Sequence, residues 1–169
     1  WFKNACRALR DNTESPYTEY YNFSSTMQSG WERVLGTDLY YECKFWSEMP
    51  DLNMDCPALR EEVVRIARHW LELGADGFRL DAAKWVYEDA SKDNAFWQWF
   101  GEEVKKIDPD AYLVGEVYAS DGVINEYYNS QLDSLFAFGV SDATGYAAST
   151  INRASYDGLG WATYNENAI

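Results

Sequence analysis

Residues 74–85 read GADGFRLDAAKW. Two charged side chains, Arg79 and Asp81, interrupt an apolar run of Phe78, Leu80, Ala82 and Ala83. Side chains alternate across a β-strand, so Phe78 and Leu80 share one face while Arg79 and Asp81 share the other. The apolar pair suits a helix layer. The charged pair then points into a barrel or cleft, with α-carbons about 7 Å apart. A guanidinium beside a carboxylate favours its ionised form, and an ionised acid at the C-terminal end of a strand is a suitable nucleophile. Taken alone, the pattern serves a structural ion pair equally well.

On the N-terminal side stands MPDLNMDCPALREEVVRIARHWLELG, residues 49–74. Asp55 or Cys56 can cap a helix and Pro57 suits its first position. Leu59, Val63, Ile66 and Trp70 then give one apolar face, and Gly74 is placed to end the helix in a left-handed cap. His69, the only histidine, has no cysteine or second histidine at ligand spacing and reads as structural.

On the C-terminal side a second helix is expected over about 94–107, with Phe96, Phe100, Val104 and Ile107 as its buried stripe. Pro109 bars its continuation, and YLVGEV, residues 112–117, supplies the next strand. A weaker helix near 121–129 leads to a third strand at SLFAFG, residues 134–139, and a further helix is read over 142–155. Helix and strand alternate with short connections, which predicts parallel strands.

Residues 1–50 differ. SPYTEYYNFSS and GTDLYYECKFW are rich in aromatics and turn-formers and show no sustained helical period. A long segment without clear elements reads as an irregular subdomain.

The chain has 169 residues, of which 47% are hydrophobic and 25% charged, the balance of an ordinary globular domain. Its formal net charge of −14 argues against nucleic acid and anionic membrane as partners, since both need a basic face. No apolar run approaches the roughly 18 residues of a membrane span. The three cysteines, Cys6, Cys43 and Cys56, lack metal-site spacing and allow at most one disulfide within the chain.

Glu116 stands at the end of the strand that follows Asp81's, in the corresponding place. Neighbouring parallel strands lie about 4.8 Å apart, and glycoside cleavage with retention uses two carboxyls about 5 to 5.5 Å apart. One attacks as the ion; the other delivers a proton to the leaving oxygen. Gly115 removes a side chain beside Glu116 and is read as letting a bulky ligand approach.

Three segments now resemble the α-amylase family of glycoside hydrolases. GFRLDAAKW resembles the family segment that carries the nucleophile, VGEVY the one that carries the general acid/base, and MPDLN the short signature before the third barrel helix. Their order and separations fit, and WFKNA with SPYTEYYNF resembles the subdomain these enzymes insert after their third strand.

The resemblance implies an α/β fold: part of a (β/α)8 TIM barrel, about three barrel strands with their helices, with its active site at the strands' C-terminal ends. Residues 1–50 would be the inserted subdomain and residues 51–169 the central part of the catalytic barrel. It implies Asp81 as nucleophile, Glu116 as acid/base, and Arg79 as the residue that orients Asp81. Lys84 and Trp85 fall where family members contact sugar; a solvated lysine and a packed ring are the competing readings.

No cofactor is required for this chemistry. The resemblance allows a structural calcium ion at Asp51, although Trp85 replaces the histidine whose backbone helps hold it in some relatives. The implied partner is an α-glucan, oligomeric or polymeric, and the implied location is extracellular or cell-surface. The family's first motif, an aspartate with an Asn-His pair, would precede Trp1, and its Asn-His-Asp motif would follow Ile169. The expectation is therefore a central slice of a retaining α-glucan hydrolase, too incomplete to act alone and prone to self-association through exposed strand edges. The alternative expectation is a non-catalytic glucan-binding or structural relative.

Overall fold

The computed structural model describes residues 1–141. The helix read over 142–155 lies outside the described residues. The chain divides into two compact units, Trp1–Ile66 and Ala67–Ile169.

The first unit opens with α1 (Phe2–Asp11), which ends at Asn12 in the left-handed conformation. This helix stands where the sequence suggested no regular element. Its inner positions are Phe2, Ala5, Cys6, Ala8 and Leu9, a helical spacing carried mostly by small side chains that give little hydrophobic signal. A 3-10 turn follows at Pro16–Tyr20, capped by the Ser15 hydroxyl, which accepts from the Tyr17 N–H. Three short strands then form an antiparallel sheet: β1 (Phe23–Ser24), β2 (Trp31–Arg33) and β3 (Tyr40–Glu42), with β3 in the middle.

Two small cores hold this unit together. Ala5, Tyr20, Tyr21, Cys56 and Leu59 form one, and Val34, Tyr41 and Cys43 the other; Phe2 packs against both. All three cysteines are free.

α2 (Pro57–Glu72) runs from the first unit into the second. Pro57 starts it as the sequence predicts, and Gly74, at φ +95°, ends it. The Ala75 N–H bonds back to the Trp70 carbonyl and the Gly74 N–H to that of Leu71, the paired bonds of a left-handed cap. The expected stripe needs correction beyond its first turn. Leu59, Ala67 and Leu71 are buried, whereas Ile66 and Trp70 are exposed. The four-residue spacing from Leu59 through Val63 and Ala67 to Leu71 wins, with alanine occupying the closely packed place.

The second unit holds the parallel sheet. β4 (Gly77–Leu80), β5 (Tyr112–Gly115) and β6 (Ser134–Leu135) lie in the order β4-β5-β6. Phe78 pairs with Leu113 and Leu80 with Gly115, all in parallel register. α3 (Ala90–Ile107) connects the first two strands. It begins earlier than its apolar stripe suggests, because Asp89 caps it by accepting from the Lys92 N–H at 3.0 Å. α4 (Asp121–Glu126) and a 3-10 turn at Tyr127–Asn129 lead to β6, and α5 (Phe138–Ser141) follows. Phe96, Trp97, Phe100 and Val104 of α3 pack in the core with Leu113, Val117, Leu132 and Leu135. No helix among the described residues is long and apolar enough to cross a membrane.

Candidate active site

The three parallel strands all point their C-terminal ends the same way, and the charged residues of the sequence pattern gather there. Alternation along β4 leaves Phe78 and Leu80 half-buried and Arg79 exposed, with Asp81 just beyond the strand. Glu116 follows β5 directly, and its backbone N–H bonds to the Leu80 carbonyl at 2.9 Å. The two acids therefore stand on adjacent strand ends in matched register.

Arg79 joins them. One terminal nitrogen, Nη1, pairs with Asp81 Oδ1. The other, Nη2, lies 2.9 Å from Glu116 Oε1. A guanidinium is a rigid planar fork, so this bridge fixes the two carboxyls at short range and in a set orientation. The reading from sequence gave Arg79 to Asp81 alone; its second arm on Glu116 is a finding of the structure. The guanidinium also lies 6.0 Å from the Phe136 ring, just past β6, so all three strand ends contribute to one site.

Glu116 is held more closely than Asp81. Its side chain is 26% exposed against 72% for Asp81. Its Oε2 accepts from the Ala82 N–H at 3.2 Å, and its backbone carbonyl accepts from the Ala83 N–H at 2.8 Å. Ala82 adopts φ 49°, ψ 43°, a left-handed conformation costly for a residue with a Cβ. That kink directs two successive N–H groups at one glutamate. It also starts the 3-10 turn Ala83–Trp85, where Lys84 Nζ sits 5.0 Å over the Trp85 ring. Lys84 and Trp85 thus stack on one another in the turn that follows Asp81.

Two residues absent from the sequence reading anchor this turn. Trp97, buried in α3, donates its indole N–H to the Ala83 carbonyl at 2.8 Å. Asp93, wholly buried one turn earlier in α3, accepts from the Tyr87 N–H and from the Tyr127 hydroxyl, both at 2.8 Å. Burial, followed by the Asp93 hydrogen bond and charge, pushes the Tyr127 phenol well above its usual range. An acid on the same helix face as Trp97, Phe100 and Val104 was the signal that could have found Asp93.

Gly115 has a different role from the one read in sequence. A Cβ there would meet Leu132 Cδ1 at 2.7 Å and Leu135 Cδ2 at 3.0 Å. The missing side chain makes room for the core beneath the sheet, not for a ligand above it.

The resemblance allowed a structural calcium ion at Asp51, where carboxylate and backbone oxygens would be its ligands. Among the described residues no three His, Cys, Asp or Glu side chains converge as metal ligands. Asp51 Oδ2 accepts from the Lys44 N–H at 2.6 Å, closing a loop within the first unit.

Comparison with known proteins places this arrangement. Residues 1–166 match the alpha amylase catalytic domain. The chain is 45% identical over 147 residues to alpha-amylase 3 of Dictyoglomus thermophilum, covering 84% of this chain and 28% of that protein. It is 39% identical over 90 residues to neopullulanase 2 of Thermoactinomyces vulgaris, covering 52% of this chain and 14% of that protein. Among solved structures, Amy13B of Eubacterium rectale superposes with a TM-score of 0.90 at 36% identity, over 100% of this chain and 35% of that one. The chain therefore spans roughly a third or less of the length of these relatives. Its parallel strands and helices are part of a (β/α)8 barrel.

Proposed function

This chain belongs to the alpha-amylase family, and from that premise we propose that it carries the two catalytic carboxyls of a retaining glycoside hydrolase acting on α-glucosidic bonds of starch-type glucans. Relatives named alpha-amylase and neopullulanase support the substrate class. One observation carries the mechanism: Arg79 bridges Asp81 and Glu116 across adjacent strand ends.

Asp81, the more exposed acid, attacks the anomeric carbon and forms a glycosyl ester. Glu116 gives its proton to the departing glycosidic oxygen, then takes one from the water that cleaves the ester. The oxygen leaves with the aglycone as an alcohol, and double displacement restores the α configuration. Arg79 orients Asp81 and sets its separation from Glu116. The Lys84–Trp85 stack and the exposed ring of Tyr118 offer polar and flat surfaces to neighbouring sugars. Two carboxyls complete this reaction without a metal.

The 169-residue chain by itself turns over slowly at best, because three parallel strands among the described residues supply only part of an eight-stranded barrel. The outer edge of β4 has no partner among the described residues, and self-association of the isolated chain through that edge is the expected result. A polymeric glucan substrate implies work outside the cell or at its surface.

The test is the anomer released. Proton NMR of maltooligosaccharide cleavage by the full-length protein carrying this chain will show the α-anomer first, and Asp81→Asn and Glu116→Gln will each abolish it. First release of the β-anomer contradicts retention. Glucan binding with no cleavage by the full-length protein would support the non-catalytic alternative. Ordinary turnover by the isolated chain would refute its incompetence alone.

A further inference from the structure

The first unit contains a cleft of about 360 Å³ whose wall carries Lys3, Arg7 and Arg10 from α1 and Arg33 from β2. Among the described residues no aspartate or glutamate lines it. This is an unusual concentration in a protein with 28 acidic and 14 basic residues. Lys3, Arg7 and Arg10 fall at helical spacing, so one face of α1 presents all three.

The cations are unequally committed. Arg33 donates through Nε to the Thr37 carbonyl at 3.0 Å and through Nη2 to Asp38 at 2.8 Å. Arg10 approaches Asp11 only at 3.8 Å. Neither Lys3 nor Arg7 makes an ion pair among the described residues. Arg10 is also placed by the fold. A Cβ on Gly36, which has φ +83°, would lie 3.0 Å from Arg10 Cδ, so the glycine turn provides the seat for the arginine stem. Beneath the cations the floor is apolar, formed by buried Val34 and Tyr41.

We propose that this cleft binds a phosphate monoester carried on a sugar. Guanidinium groups pair with phosphate through two parallel hydrogen bonds, and a dianion uses several cations where a carboxylate would use one or two. The volume lies at the lower end of small-ligand sites, which run from about 300 Å³, and suits a single phosphorylated pyranose. The phosphoester part rests on the cleft; the sugar part rests on the glucan reading of the other unit. The same chemistry is presented by a free hexose phosphate and by a phosphorylated residue within a glucan chain.

Titration calorimetry on the full-length protein carrying this chain tests this with inorganic phosphate, glucose 6-phosphate, glucose and a phosphorylated maltooligosaccharide, at low and moderate salt. Saturable binding of glucose 6-phosphate that depends on Arg7 is expected, weakened by salt, with no Arg7-dependent binding of glucose. Arg7→Ala and Lys3→Ala, both on exposed side chains, should each loosen it about tenfold, while Asp81→Asn leaves it unchanged. The Arg7-dependent part of the binding assigns the ligand: a larger part for the oligosaccharide than for the free ester points to phosphorylated glucan, and the reverse to the metabolite. Equal affinity for inorganic phosphate removes the sugar from the proposal and contradicts it. So does binding indifferent to Arg7 and Lys3, or an Arg7-dependent dimer that takes no phosphate. Loss of catalysis in the anomer experiment would leave these outcomes untouched, so the two readings fail separately.

Discussion

Trp97 donates its indole N–H to the carbonyl of Ala83 at 2.8 Å, from the buried face of α3 to the turn that follows β4. The same Ala83 gives its own N–H to the Glu116 carbonyl. A tryptophan in the core is thus one peptide removed from the proposed acid/base. Trp97→Phe keeps most of the ring volume and removes the donor, leaving a buried carbonyl unpaired. The expected loss is about 1–3 kcal/mol in urea unfolding. In the full-length protein kcat should fall more than KM rises, because geometry at Glu116 is disturbed and sugar contacts are not.

Tyr127 makes stability sensitive to alkali. Burial and the Asp93 carboxylate raise its phenol above the ordinary value of 10.0. The folded state therefore holds the proton at a pH where the unfolded chain releases it. Stability is fully present below about pH 10 and is lost as pH rises towards the folded value. Tyr127→Phe should reduce the slope of unfolding free energy against pH above 10. Tyr20, Tyr21 and Tyr41 are raised as well, each mainly by burial, so part of the slope will remain. An unchanged slope would show that Tyr127 ionises freely.

Two glycines of the parallel sheet should differ in how they tolerate alanine. At Gly77, with φ +152°, a Cβ would lie 1.9 Å from the Tyr112 carbonyl oxygen, and backbone has nowhere to go. At Gly115 the obstacles are the ends of two leucine side chains. Gly77→Ala should break the β4–β5 pairing and cost well over about 3 kcal/mol, and Gly115→Ala about 1–3 kcal/mol as an overpacked core. Chemical denaturation of both variants checks the order.

Lys84, stacked on Trp85, is proposed to meet substrate and not to take part in bond breaking. Lys84→Ala should raise KM for maltooligosaccharides several-fold with kcat little changed. A collapse of kcat at constant KM would move Lys84 into the chemistry.

The barrel part of the fold was legible because Gly, Pro and strongly apolar residues punctuate it. Pro57 and Gly74 bracket α2, Pro109 follows α3, and the acids close β4 and β5. α1 was missed because Ala5, Cys6 and Ala8 carry its buried face with little hydrophobicity. The exposure of Ile66 and Trp70 was missed because spacing shows that a face exists, not which of two overlapping faces packs. In the site, Arg79 pairs with both Asp81 and Glu116, while Lys84 and Trp85 meet one another in the turn after Asp81. Asp93 and Trp97 escaped notice because their work is done through Tyr87 and Ala83 backbone groups, and a backbone partner leaves no mark in the residue pattern.

The central claim is that Asp81 accepts the glycosyl group. It is tested most directly by trapping. The full-length protein carrying this chain is treated with a fluorinated α-glucosyl fluoride, which forms the glycosyl ester faster than water clears it, and the digest is sequenced by mass spectrometry. The account predicts one added sugar on the peptide containing GFRLDAAK, localised to Asp81 and absent in Asp81→Asn. A sugar on Glu116 or any other residue, or inactivation of Asp81→Asn at the native rate, would contradict it.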